Sequence, residues 1–194
     1  MQEHQTIFSI KELRNKISYN FINEIPNLSQ KLQIIENWQN NIISGKYLNA
    51  KEEEIRPLFV TQFFGDILGY DYNNDTDWNL RLENKTETDS TRSDAALGFF
   101  KIRNFEELPK DVRAVIEIKD ARTSLDKQQN RKDFRGTPIE QAFMYAAKIG
   151  EKCKWVIVSN FLEIRLYLAS DMTKYESFDI MLLTDNFEFS RFYF

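Results

Sequence analysis

Apolar residues recur at helical spacing in the first third of the chain. From Pro26 they follow one another at intervals of three and four, which predicts a helix that ends near Gly45. A second apolar stripe predicts a helix from Lys51 to Leu68, with Gly69 as its end. The two stripes consist of Leu28, Leu32, Ile35, Trp38 and Ile42, and of Ile55, Leu58, Phe59, Phe63, Ile67 and Leu68.

The pattern changes to that of strands in the middle of the chain. Residues 71–92 are polar and predict no defined element, whereas Ser93–Phe100 and Val112–Lys119 are typical of strands. Because side chains alternate along a strand, Glu117 and Lys119 are expected to project from one face of an otherwise apolar segment.

A capped helix gives the strongest local signal. Thr137 is a good N-cap, Pro138 suits the first helical position and Glu140 completes a capping box. The helix is expected to run to Ile149 and to end at Gly150.

Further strands are predicted in the last quarter of the chain. Trp155–Ser159 and Phe161–Leu168 are expected to form a hairpin through Asn160, and another strand is expected at Phe178–Leu182, before the start of a helix. The C-terminus is crowded with aromatic residues, which suit either an element docked on the core or a surface covered by a following segment: Phe187, Phe189, Phe192, Tyr193 and Phe194.

This order of elements predicts an α/β protein of the α+β type, a mixed sheet flanked by helices with a C-terminal β-hairpin. We expect one compact domain, in which residues 1–50 form an N-terminal helical segment and residues 51–194 form the core.

Composition narrows the possible chemistry. The chain of 194 residues is 42% hydrophobic and 29% charged, and it contains no apolar run near the roughly 20 residues that a membrane span needs. A polar N-terminus and the single Cys153 favour a reducing, cytoplasmic location.

The scarcity of histidine limits the possible chemistry. Because His4 is the one histidine of the chain, we exclude nucleophilic sites that need a positioned imidazole and zinc sites built on Cys and His clusters. Catalysis would therefore depend on carboxylates, lysine, tyrosine or a hard metal ion.

Charge is distributed unevenly along the chain. The net charge of −4 argues weakly against a nucleic-acid partner. Residues 101–154, however, hold 13 Lys and Arg against 9 Asp and Glu, a local excess of four positive charges. An acidic chain of this kind can still present one basic face to DNA.

Three charged residues suggest a catalytic site. Asp94 begins the strand that precedes Glu117 and Lys119, and pairing of the two strands would bring Asp94 beside Glu117. Two close carboxylates repel each other unless a cation such as Mg²⁺ lies between them, and a neighbouring lysine would offset charge on a scissile phosphate. The alternative is an ordinary ion pair on an edge strand, which is the commoner meaning of an isolated Glu-x-Lys triplet.

Two neighbouring segments add to this hypothesis. On the capped helix, Gln141, Tyr145 and Lys148 share one face. Residues 119–135 carry six Lys or Arg against three Asp, which suits a flexible loop that contacts DNA phosphates. Both features also occur on ordinary solvated surfaces. The residues expected at the DNA are Arg122, Lys127, Gln128, Arg131 and Lys132.

These residues resemble the PD-(D/E)xK nuclease superfamily, in the branch with a Q-x-x-x-Y helix. The resemblance rests on Asp94, on the Glu117-Ile118-Lys119 triplet and on Gln141 with Tyr145, although Ser93 stands where proline is usual. The chain more closely resembles the N-terminal nuclease region of type IIG restriction-modification enzymes. That region is related to the nuclease domains of type I restriction subunits. Its segments span about residues 50–170 and include Lys51-Glu52, Phe64–Tyr70, Ser93–Leu97, Val156–Asn160 and Ile164–Tyr167.

The resemblance implies a restriction-endonuclease-like core and a metal-dependent endodeoxyribonuclease. Asp94 and Glu117 would hold Mg²⁺, for which Mn²⁺ would substitute, and Lys119 would be the catalytic lysine. Gln141 and Tyr145 would orient the metal water or the DNA strand. Glu52 would be a further metal ligand, although Glu53 and Glu54 beside it leave that choice open.

The implied partners are double-stranded DNA and the methyltransferase and target-recognition domains of a restriction-modification system. The sequence contains neither an N/D-P-P-Y/F methyltransferase motif nor a phosphate loop, so those activities would lie in a longer chain or a partner subunit. Two alternatives stay open: a catalytically silent nucleic-acid-binding module of the same fold, and a repair or RNA-processing nuclease.

Overall fold

The computed structural model describes residues 5–17, 21–72, 76–85, 92–104, 106–108, 110–129 and 134–194. His4, Arg131 and Lys132 lie outside these residues. The helices are α1 (Ile10–Lys16), α2 (Phe21–Glu24), α3 (Leu28–Ile43), α4 (Lys46–Asn49), α5 (Glu52–Val60), α6 (Pro138–Ile149) and α7 (Asn186–Tyr193). The strands are β1 (Asp77–Lys85), β2 (Arg92–Arg103), β3 (Glu106–Glu107), β4 (Asp111–Ile118), β5 (Trp155–Ser159), β6 (Glu163–Leu168) and β7 (Asp171–Asp179).

The strands form one mixed sheet in the order β1-β2-β4-β5-β6-β7, and the short β3 pairs with β2. The β4–β5 pair is parallel, and the other neighbours along this path are antiparallel. Helix α6 connects the two parallel strands, as a crossover between parallel neighbours requires. The predicted mixed α/β architecture, with its β5–β6 hairpin, is confirmed.

Helices cover both faces of the sheet, and two apolar cores result. One core lies under α3, α5 and α7, and it receives Ala114, Ile116 and Ile118 from β4. The second core lies under α6 and receives Val112 and Val115 from the same strand. The alternation predicted for β4 is therefore observed from Ala114 to Ile118, whereas a register shift against β2 interrupts it between Val112 and Ala114. Helix α6 packs on the face of the sheet to which the Val115 side chain projects.

Local sequence signals fix several of these elements. Helix α6 begins as predicted, because Glu140 N donates to Thr137 Oγ1 at 3.1 Å and Thr137 N donates to Glu140 Oε2 at 2.7 Å. The helix predicted over 51–68 is α5 continued by a π-helical segment, Thr61–Ile67. The aromatic C-terminus forms α7, whose Phe189 and Phe192 are buried in the first core.

Two predictions of strands need correction. Residues 71–92 have no strand pattern, yet they contain β1, because pairing with β2 through the main chain orders this edge strand without an alternating apolar face. The strand predicted at Phe178–Leu182 is wrong: β7 ends at Asp179, and Ile180–Leu182 form a 3-10 turn. The Asp179 carboxylate accepts a hydrogen bond from Met181 N at 2.8 Å, which turns the chain at this point.

Candidate active site

Asp94 is fixed against the neighbouring strand. In the antiparallel β2–β4 pair, Ala95 lies opposite Ile116 and Ala96 lies opposite Val115. One carboxylate oxygen of Asp94, Oδ2, accepts a hydrogen bond from the main-chain N–H of Ile118 at 2.7 Å. The expected pairing of the two strands is thus observed, and it brings Asp94 to the end of β4 where Glu117 lies.

Glu117 and Lys119 form a buried ion pair at this end of β4. Each residue is only 2% exposed, and Lys119 Nζ donates to Glu117 Oε1 at 2.5 Å. The main-chain N–H of Lys119 donates to Ser159 O at 2.8 Å, which extends the parallel ladder beyond the last residue of the strand. Both side chains are therefore held on a central strand of the sheet. The alternative that they form an ordinary ion pair on an edge strand is wrong.

The electrostatics of Glu117 are unusual for a carboxylate. Burial and the charge of Asp94 raise the pKa of the Glu117 carboxyl to about 8, against the opposing effect of the Lys119 ammonium. The second oxygen, Oε2, is buried and has no hydrogen-bond partner among the described residues. A buried carboxylate oxygen without a hydrogen-bond partner is unusual and costs free energy.

A hard divalent cation suits the oxygen atoms of Asp94 and Glu117. Mg²⁺ commonly binds proteins through one or two carboxylates and retains water in its other positions. In the described part of the chain, no group of three or more His, Cys, Asp or Glu side chains is arranged to hold a metal ion. The structure therefore offers two carboxylates from β2 and β4, and it does not gather Glu52 with them into a set of three.

Glu52 contacts an arginine instead. It lies in the first turn of α5, and its Oε1 accepts a hydrogen bond from Arg56 Nη1 at 3.3 Å. The same nitrogen donates to Asp94 Oδ1 at 2.6 Å, and Arg56 Nη2 lies 3.8 Å from Glu83 Oε1 on β1. A guanidinium therefore bridges Glu52 and Asp94. Glu52 is half-buried at the site, whereas its neighbours Glu53 and Glu54 are exposed.

Arg56 and Glu83 were not among the predicted site residues. Arg56 comes one helical turn after Glu52, and that i,i+4 spacing is the signal that would have found it. Glu83 lies in the polar stretch for which no element was predicted. Only the pairing of β1 with β2 brings it to this end of the sheet.

Gln141 and Tyr145 lie on the buried face of α6. Gln141 Nε2 donates to Tyr145 Oη at 3.0 Å, and each residue is 8% exposed. Tyr145 belongs to the second core, together with Val115 and Val158. The pair is therefore on the side of the sheet from which Glu117 and Lys119 project, and it does not face bulk water.

The described part of the basic loop is anchored, contrary to the flexibility expected of it. Asp120 Oδ1 accepts from Arg122 N at 2.8 Å, and Asn160 Nδ2 donates to Thr123 O at 3.0 Å. Gln129 Nε2 donates to Gln141 Oε1 at 3.2 Å, which joins the loop to α6. These bonds hold the loop beside the candidate site.

The residues expected to contact DNA differ in their surroundings. Lys127 and Gln128 are exposed. Arg122 is also exposed, but its guanidinium donates to Leu48 O at 2.7 Å and to Asn49 Oδ1 at 2.6 Å, so it joins the loop to α4. Arg131 and Lys132 lie outside the described residues. No observation of the structure tests a DNA contact for any of them.

An ion-pair network on β6 also holds this loop. Arg165 donates to Asp126 through two nitrogens, at 2.6 and 2.9 Å, and to Glu163 at 2.8 Å. Burial opposes the charge of Arg165, but the hydrogen bonds to Asp126 and Glu163 raise its pKa. In the strand register Arg165 lies opposite Val158, and Val158 lies beside Glu117, so the network is two strands from Glu117.

An apolar cavity of about 580 Å³ lies away from these residues. Its lining includes Leu97, Ala114 and Ile157, which belong to the first core, on the other face of the sheet. None of the candidate site residues is among its lining residues. The candidate chemistry thus rests on the strand ends and not on this cavity.

Comparison of the chain with family models, with curated proteins and with solved structures finds no match. Among the described helices, none is both long enough and apolar enough to cross a membrane.

Proposed function

We propose that this protein is a Mg²⁺-dependent DNA endonuclease domain of a restriction-modification system, with a PD-(D/E)xK site. The observation that carries the proposal is the convergence of Asp94, from β2, on the buried Glu117–Lys119 pair of β4. A structural ion pair alone would not leave a buried oxygen of Glu117 without a hydrogen-bond partner in the described residues.

Asp94 and Glu117 would hold the metal ion. Bound Mg²⁺ supplies Lewis-acid activation of water and neutralises charge on phosphate oxygens. Main-chain donation from Ile118 to Oδ2 fixes the orientation of the Asp94 carboxylate, whose other oxygen, Oδ1, is bonded to Arg56. Mn²⁺ would substitute, because it also accepts carboxylate and water ligands.

Lys119 would act on the reacting phosphate. Its ammonium is held in the low-dielectric interior, where a positive charge stabilises developing negative charge more strongly than it would in water. Its hydrogen bond to Glu117 Oε1 fixes the position of Nζ beside the metal-binding oxygens. Gln141 and Tyr145, joined by a hydrogen bond, would orient the water molecule or the DNA strand.

DNA is proposed as the substrate, with cleavage in the cytoplasm. The exposed Lys127 and Gln128 lie on a loop that is bonded to α6, and they would contact a backbone phosphate. Sequence recognition and methylation are assigned to domains outside this nuclease core, either in a longer chain or in a partner subunit. The nuclease itself would then bind duplex DNA weakly, in a salt-sensitive manner and without sequence preference.

Plasmid cleavage tests the proposed activity. Supercoiled plasmid is incubated with the protein in Mg²⁺, in Mn²⁺ and in chelator, beside the Lys119→Ala variant, and a structured RNA is tested in parallel. Nicking or linearisation of DNA that needs both the metal and Lys119 supports the proposal. Metal-dependent cleavage of RNA alone contradicts the assignment to DNA, and binding without cleavage in every metal supports the silent-module alternative.

A further inference from the structure

Arg56 occupies the position at which a cation would be expected beside Asp94. Of the two Asp94 oxygens, Oδ2 accepts from the main chain of Ile118, and Oδ1 accepts from Arg56 Nη1 at 2.6 Å. The same guanidinium nitrogen lies 3.3 Å from Glu52 Oε1. Arg56 therefore bonds to Asp94, one of the two carboxylates proposed to hold the metal ion, and to the neighbouring Glu52.

We propose that Arg56 competes with the divalent metal ion for Asp94, and so sets the metal concentration at which the site fills. This inference rests on the proposed function and concerns the regulation of the same site. A magnesium–oxygen bond is about 2.1 Å long, so the ion needs direct access to Asp94 Oδ1. The guanidinium must leave that oxygen before the ion can take its place.

The surroundings of Arg56 allow it to leave. Its side chain is 22% exposed, so it is not enclosed as Lys119 is. Its other terminal nitrogen, Nη2, lies 3.8 Å from the exposed carboxylate of Glu83, which gives the displaced guanidinium an alternative partner. A charge-assisted hydrogen bond to a half-buried carboxylate stabilises the contact enough to raise the metal concentration needed, but not enough to exclude the ion.

Charge supports the same conclusion. Glu52 and Asp94 together carry two negative charges, and a single guanidinium neutralises one of them. A divalent cation neutralises both, so metal ion in excess displaces the arginine. The competition is a property of this chain's own residues and is measurable without any turnover.

Manganese binding without DNA tests the inference. Mn²⁺ is titrated into the wild type, Arg56→Gln and Arg56→Lys, and free Mn²⁺ is followed by its electron paramagnetic resonance signal. We expect Arg56→Gln to bind Mn²⁺ about tenfold more tightly than the wild type, and Arg56→Lys to lie between them. The matched control is Arg92→Gln, which removes a positive charge that pairs with Glu83 at 3.1 Å but is not bonded to Asp94.

The thermal unfolding midpoint is a second readout that also verifies folding. Saturating Mn²⁺ should raise the midpoint of Arg56→Gln more than that of the wild type, because the variant binds the ion more tightly. Unchanged or weaker Mn²⁺ binding in a folded Arg56→Gln overturns the competition but leaves the proposed function intact. If neither the wild type nor Arg56→Gln binds Mn²⁺, the proposed function fails as well. An equal gain in Arg92→Gln also overturns the inference, since net charge alone would explain it.

Discussion

Lys119 Nζ lies 2.5 Å from Glu117 Oε1, and both side chains are almost fully buried at the end of a central strand. Burial raises the pKa of the Glu117 carboxyl to about 8 despite the opposing effect of Lys119, so their attraction does not offset the cost of burying the charged form. A pair of this kind is a poor way to stabilise a sheet. The pair lies at the end of β4, next to Asp94, where the proposed function assigns it a role in catalysis.

The first prediction concerns pH and the metal-free protein. The folded-state pKa of Glu117 is about 8, above the ordinary value of 4.5, so the folded state retains a proton that the unfolded chain releases. The free energy of unfolding should therefore fall as pH rises from about 5 to 8, by an amount on the order of a few kcal/mol. Urea unfolding in chelator at pH 5, 6.5 and 8 measures this fall.

Glu117→Gln is the matched variant for this measurement, because it retains the shape of the side chain and cannot titrate. The variant should show a flatter dependence on pH than the wild type. Identical slopes in the two proteins would contradict the raised pKa. Metal ion must displace the proton, so stabilisation by Mg²⁺ should be larger at pH 8 than at pH 6.

The second prediction concerns Lys119. Its charge should act in the transition state more than in substrate binding, so Lys119→Ala should cut DNA about 100-fold to 1,000-fold more slowly. DNA affinity should change by less than about threefold. The control is Lys127→Ala, an exposed lysine of the neighbouring loop, which should weaken binding slightly without this loss of rate. A Lys119→Ala variant that cuts at the wild-type rate would exclude a catalytic role.

The third prediction separates Glu52 from its acidic neighbours. Glu52 has a side chain only 16% exposed and contacts the arginine that binds Asp94, whereas Glu53 is exposed. We expect Glu52→Gln to weaken Mn²⁺ binding about tenfold, as loss of an outer partner of a metal ligand commonly does, and Glu53→Gln to leave it unchanged. Calorimetric titration of both variants measures the difference, and equal affinities would remove Glu52 from the site.

The fourth prediction concerns the anchor of the basic loop. Arg165 makes two hydrogen bonds to Asp126 and is 8% exposed at its side chain, so Arg165→Gln should lower the free energy of unfolding by about 2 kcal/mol. The control is Arg113→Gln, whose side chain is 47% exposed and pairs with Asp111 at 2.9 Å; it should cost less than about 1 kcal/mol. Urea unfolding compares the two. Equal losses would show that the Arg165 network is no stronger than a surface ion pair.

Elements with local signals were predictable from residue types and their spacing. Alternation along residues 112–119 placed Glu117 and Lys119 on one face, and Thr137 with Glu140 fixed the start of α6, because these effects depend on neighbours within a few residues. The pairing of β2, which holds Asp94, with β4, which holds Glu117, was also predictable. The two strands follow each other closely in the chain and pair antiparallel.

Which distant groups meet at the strand ends depends on the packing of the whole fold and was not predictable from spacing. Strands pair through main-chain hydrogen bonds, which are the same for nearly every residue type, so the polar β1 and its Glu83 had no distinguishing pattern. The contacts of Arg56 with Asp94 and of Arg165 with Asp126 join residues 38 and 39 positions apart. The partners of Arg56 and Arg165 depend on how α5 and the basic loop pack on the sheet. That packing results from the burial of the whole apolar core, and the spacing of residues along the chain does not encode it.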